Sequence, residues 1–206
     1  GEVRRNGSTD NFSLVLAGHY TRTAFVGVDS NRIFEAWIGD TSVKIYLIGY
    51  TDENVGFFTN AIDKTPSTAG SWQDIDVSGN IPAGSTGVIC LLTNQSTGTD
   101  YSVGIRKNGS TDLFTYGKVA GSYRFVYQLC GVDVDRKFEG EVESIIYARI
   151  RLIGYTKSPV TFFTNGVDKS LTQTSQWTDI DVTGDTEATA DGAILFAKNS
   201  SSTVYK

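Results

Sequence analysis

The feature that most constrains this chain of 206 residues is that it says nearly everything twice. RRNGSTD at Arg4–Asp10 returns as RKNGSTD at Arg106–Asp112, and GVDSNRIFE at Gly27–Glu35 returns as GVDVDRKFE at Gly131–Glu139. LIGYT (Leu47–Thr51) recurs at Leu152–Thr156, FFTN (Phe57–Asn60) at Phe162–Asn165, and WQDIDVSG (Trp72–Gly79) becomes WTDIDVTG (Trp177–Gly184). The displacement drifts only from 102 residues (Arg4 to Arg106) to 105 (Leu47 to Leu152), which confines insertions to short turns. Self-similarity at a fixed period marks repeated structural units. A period of about 104 residues lets each unit enclose a modest core of its own, so one domain is expected over 1–104 and a second over 105–206.

Each unit reads as β throughout. Short runs such as SVKIYLIGY, NVGFFTNAID and GVICLLTN are rich in Val, Ile, Tyr, Phe and Thr, with Gly, Asn, Asp or Pro between them. No apolar stripe of helical period runs to a useful length. One-faced sheets must bury that face, and another sheet is the only cover this pattern supplies. The expected fold is therefore all-β: two tandem antiparallel β-sandwich domains of jelly-roll or Greek-key type. In WQDIDV, Ile75 and Val77 share one face while Trp72, Asp74 and Asp76 share the other. Carboxylates avoid cores, so Ile75 and Val77 point inward, as do Ile180 and Val182 in the second copy. KIYLIGY is apolar on both faces, which predicts a central strand or one covered by a neighbour.

Composition excludes several partners. The net charge is −5, the pI is near 4.9, and no Lys/Arg cluster is present, which argues against nucleic acid. No apolar run approaches the ~20 residues of a membrane helix, so membrane insertion is not expected. Asn-x-Ser/Thr occurs five times, at Asn6, Asn11, Asn94, Asn108 and Asn199, where the Ser and Thr content predicts about two by chance. Glycosylation on an extracellular, cell or virion surface is one reading; plain Asn turn chemistry is the other.

Catalytic machinery is hard to find. His19 is the only histidine, which removes a multi-histidine metal site or a histidine triad within one chain. No nucleophile elbow, phosphate loop or dinucleotide fingerprint is present. Asp74/Asp76 and Asp179/Asp181 stand two apart on one strand, side by side rather than across a cleft as glycoside hydrolysis requires. Beside them Trp72 and Trp177 are candidate glycan-stacking residues. Asp29, Arg32 and Glu35 recur as Asp133, Arg136 and Glu139, which predicts an Asp turn followed by an ion pair along the strand. Asp133 with Asp135 offers a weak calcium pattern that Asp29 with Asn31 does not repeat. No enzyme, cofactor or metal is expected.

The two cysteines, Cys90 and Cys130, align with Leu195 and Val26 in the opposite copies. Apolar counterparts predict buried thiols. A disulfide between them, clamping the two sandwiches, is the alternative.

The ends match the bridge between the copies. Thr203, Val204 and Tyr205 resemble the start of that bridge, and Glu2, Val3 and Arg4 resemble its continuation. The expected function is a structural, non-enzymatic surface protein that assembles head to tail with copies of itself, as a filament subunit or a bead of a longer repeat array. Strand addition at the ends is one route. A tandem carbohydrate-binding or adhesin module and a virion appendage or decoration protein are the alternatives.

Overall fold

A computed structural model of the chain describes residues 2–12, 24–38, 45–47, 50–112, 124–171, 178–190 and 192–195. Among them the structure is all-β, with antiparallel strands and no helix. Two compact units are present, Gly1–Asn165 and Gly166–Lys206.

The described residues of the first unit form nine strands: β1 (Glu2–Arg5), β2 (Phe34–Trp37), β3 (Val55–Asp63), β4 (Gln73–Asp76), β5 (Ser85–Asn94), β6 (Val103–Lys107), β7 (Arg124–Gly131), β8 (Lys137–Val142) and β9 (Ala148–Lys157). They form a β1-β2 ladder, a four-stranded sheet in the order β3-β9-β5-β7, and a three-stranded sheet in the order β4-β8-β6. The two larger sheets share one apolar core. Ile75 and Val77 from the β4 segment, Phe138 and Val142 from β8, Val103 and Ile105 from β6 meet Val88, Cys90, Leu92, Ile150 and Leu152 of the other sheet. Burial alternates strictly along β8 and β9, where every second residue is buried. Each fully buried Leu, Ile or Phe contributes about 1.5–3 kcal/mol, so this cluster is the main source of stability.

LIGYT of the second copy lies in β9, flanked by β3 and β5, as a strand apolar on both faces requires. Ile150 and Leu152 enter the main core, while Ile153 packs with Phe12, Leu91, Phe125 and Tyr127 in a smaller cluster. The guanidinium of Arg151, on the Ile153 side, lies 4.7 Å from the Phe12 ring centre. Gly140 is packed closely within the core: a methyl group there would meet Ile75 Cδ1 at 2.5 Å and Ile150 Cδ1 at 2.8 Å.

The distribution of strands across the repeat is the main surprise. β3, β4 and β5 belong to the second half of the first copy, and β6 to β9 to the first half of the second. Both larger sheets mix the two groups, so the shared core straddles the position near residue 104 where the repeat suggests a border. Among the described residues, the first half of the first copy supplies only the β1-β2 ladder.

Among the described residues of the second unit there is no strand, but its turns are defined. Asp185 N donates to Val182 O at 3.0 Å and Thr186 N to the same carbonyl at 3.1 Å. Lys169 Nζ lies 2.7 Å from Asp185 Oδ2 and donates to Asp181 O at 2.9 Å.

Candidate functional site

The repeat is legible bond by bond. Arg4 Nε pairs with Glu35 at 2.7 Å and Arg106 Nε with Glu139 at 2.6 Å. Arg4 Nη1 donates to Asp10 O, and Arg106 Nη1 to Asp112 O. Asn6 donates to Asp29 at 2.7 Å, and Asn108 to Asp133 at 2.6 Å. The ladder registers agree as well: Val3↔Ala36, Arg4↔Glu35 and Arg5↔Phe34 correspond to Ile105↔Gly140, Arg106↔Glu139 and Lys107↔Phe138. Both Asp turns hold a non-glycine residue in the left-handed region, Arg32 at φ 63° and Arg136 at φ 61°. The ion pair expected along the strand between Arg32 and Glu35 is replaced by one across the ladder. Arg32 and Arg136 sit in the turns before β2 and β8, three residues from Glu35 and Glu139, whereas Arg4 and Arg106 stand directly opposite those glutamates, so each glutamate takes the facing arginine.

A matching joint links each first half to the second half that follows it. Ser8 Oγ and Thr9 N donate to Asn60 Oδ1 at 3.0 and 2.9 Å; Ser110 Oγ and Thr111 N donate to Asn165 Oδ1 at 3.0 and 2.9 Å. Arg5 Nη1 reaches Phe57 O and Lys107 Nζ reaches Phe162 O, both at 2.9 Å. The second halves also agree: Lys64 Nζ donates to Asp76 O as Lys169 Nζ does to Asp181 O, at 2.9 Å in each case.

The β1-β2 ladder and the turns are duplicated; burial is not. Ile150 and Leu152 are fully buried, whereas their twins Ile45 and Leu47 are 47% and 84% exposed. Ile75 is 7% exposed and Ile180 45%; Cys90 is fully buried and Leu195 is 73% exposed. Val28, Ile38, Tyr50, Phe163 and Ile194 add to the exposed set. Ile180 was expected to point into a core, and on the surface of this chain it does not. Exposed apolar side chains therefore occur on the first half of the first copy and on the second half of the second.

Trp72 is half-buried, and the Arg106 guanidinium lies 4.3 Å from its ring centre, so one stacking face is already occupied. Trp177, Asn199, Thr203, Val204, Tyr205 and His19 lie outside the described residues. Val3 and Arg4, with Glu2, belong to β1, which pairs antiparallel with β2 of its own chain. Asp74 and Asp76 are exposed, and Ser78 holds the Asp76 carboxyl below the ordinary carboxylate range through its side-chain and backbone donors.

Asn94 is fully buried, its amide nitrogen donating to Thr99 O at 2.8 Å and its oxygen accepting from Ser96 N, which leaves no room for a glycan in the folded sheet. The Asn6 and Asn108 nitrogens carry the Asp29 and Asp133 bonds, so those Asn-Gly-Ser stretches are explained by turn chemistry. Asn11 is exposed. The Asp133 oxygens accept from Asn108, Asp135 N and Lys137 N, which occupies the carboxylate considered for calcium.

Cys90 and Cys130 are free and buried. They lie on adjacent strands of one sheet, Cys90 opposite Gln128 and Cys130 opposite Val88. A bond between them would staple β5 to β7 and join no separate bodies. Burial pushes both thiols well above their ordinary range.

Among known proteins, no family, curated protein or solved structure matches this chain.

Proposed function

We propose that this chain is a structural, non-enzymatic protein of an exposed or extracellular surface that associates end to end with copies of itself, as tandem sandwich units in a row. The reading is supported chiefly by the contrast between twins: residues buried in the middle of the chain recur exposed on its first and last halves. Soluble monomers rarely leave contiguous apolar faces uncovered, and such faces mark interaction surfaces. Because the faces lie on different halves, the contact is heterologous, and a heterologous contact that does not close propagates into a row. The net charge of −5 adds mutual repulsion, so moderate salt favours association.

Sedimentation velocity over a concentration series, with electron microscopy of the same samples, tests the proposal. Rods that lengthen with concentration are expected. A single monomeric species at the highest concentration contradicts it.

A further inference from the structure

We infer that the second half of one copy and the first half of another fold together into a composite sandwich, built like the one that residues 55–157 form within the chain. This rests on the end-to-end reading and names the surface, the partner and the register. The occupant of each apolar face is a second copy of this chain.

The middle sandwich already contains the register. Its four-stranded sheet pairs Leu152 with Cys90, and its three-stranded sheet pairs Ile75 with Phe138 and Asp76 with Lys137. Moving each residue to its twin in the other copy gives Leu47 opposite Leu195, Ile180 opposite Phe34 and Asp181 opposite Ile33. Leu47 and Leu195 are among the most exposed apolar residues of the chain, at 84% and 73%, and the transferred register sets them face to face. A sandwich rebuilt in this register covers both at once, as the middle sandwich covers Leu152 and Cys90.

Both partners are prepared for it. The β1-β2 ladder holds the register of β6-β8, and the Lys169–Asp181 turn holds the bonds of Lys64–Asp76. Only the β1-β2 ladder and these turns are in place beforehand; residues 45–47, 178–181 and 192–195, which lie in no strand here, order as strands on association, at a cost in conformational entropy. Side-chain volumes are exchanged along the face, Leu195 for Cys90 and Ala193 for Val88. Ala36 stands where Gly140 does, and the atoms a methyl meets there are the free Cδ1 ends of isoleucines, which a χ2 rotation can move.

Geometry supplies the test. Directly opposed antiparallel residues have Cα atoms about 4.5–5.5 Å apart, within disulfide reach. An Ile33→Cys chain is mixed with an Asp181→Cys chain under mild oxidation; both sites are exposed, and the native thiols are buried. A covalent dimer containing one chain of each kind is expected, and loss of that dimer when Leu47→Asp is added to the Ile33→Cys chain. Trp37→Cys in place of Ile33→Cys moves the thiol about 13 Å along the strand and is expected not to cross-link. The double variant Ile33→Cys/Asp181→Cys is expected to give a ladder of covalent oligomers. If it gives only a faster-migrating monomer, the chain closes on itself and the inference fails. If rods form but the mixed variants give no dimer, end-to-end assembly survives and the composite sandwich fails. If neither rods nor dimers form, both fail.

Discussion

The Arg106 guanidinium lies 4.3 Å from the centre of the Trp72 ring, so the first strand of the second copy closes over the tryptophan of the first. Glu139 at 2.6 Å and the Asp112 carbonyl at 2.8 Å fix the guanidinium plane. A double-mutant cycle with Arg106→Ala and Trp72→Ala is expected to give a coupling of about 0.5–2 kcal/mol in urea unfolding. The twin pair Arg4–Glu35 is more exposed, at 37% and 41% against 13% and 16%. Arg4→Ala is therefore expected to cost the dispersed chain no more than about 1 kcal/mol.

Twin residues in different surroundings predict different costs. Leu152→Ala removes a fully buried side chain from the shared core and is expected to destabilise the chain by about 2–5 kcal/mol. Leu47→Ala, made in the same pentapeptide, is expected to stay within about 0.5 kcal/mol in dilute solution, because Leu47 is exposed there. Chemical denaturation of the two variants at low protein concentration checks the pair.

Much of this was legible in the chain. Alternation in WQDIDV placed Ile75 and Val77 inside, but the central strand suggested by the two-faced KIYLIGY is not found there. Ile45, Tyr46 and Leu47 are exposed and lie in no strand, and the interior position belongs to the second copy's segment in β9. The location of the closed core was not legible. Self-similarity fixes the period of a repeat and leaves its phase open, since every cut of a periodic sequence aligns equally well. Nor could spacing decide between Arg32 and Arg4 as the partner of Glu35, because cross-strand neighbours are set by register. Asn94 shows the same limit: Asn-Gln-Ser reads as a sequon, but its amide is consumed in the turn that follows β5.

Acid is expected to loosen the Asp turns. Burial pushes the Asp133 carboxyl up, but the Asn108 amide and the N–H groups of Lys137 and Asp135 outweigh it and hold the group below its ordinary range. The Asn6 amide and the backbone N–H groups of Ile33 and Asn31 lower Asp29 in the same way. A carboxyl depressed on folding stabilises the native state above the unfolded value, near 4, and that stability is lost as pH falls through the folded value. Asn108→Ala is expected to raise the folded value of Asp133, narrowing this acid limb; thermal melts between pH 2 and 6 measure it.

Alkali acts on the thiols with the opposite sign. Burial holds Cys90 and Cys130 protonated, whereas unfolded thiols ionise near pH 8.5. The unfolded state then binds fewer protons, so stability declines as pH rises above about 8.5. Cys130→Val, which copies Val26 of the first repeat, is expected to fold with little change in stability at pH 7 and to weaken that decline. In the native chain neither thiol should react with a thiol reagent at pH 8 until denaturant is added.

Hydrogen exchange at Ile45, Tyr46 and Leu47 across a dilution series tests the central claim most directly. If half-units from separate copies complete one another, these amides become protected as concentration rises, while those of Ile150, Arg151 and Leu152 stay protected throughout. Equally fast exchange at Ile45–Leu47 at every concentration, in samples that contain rods, would contradict it.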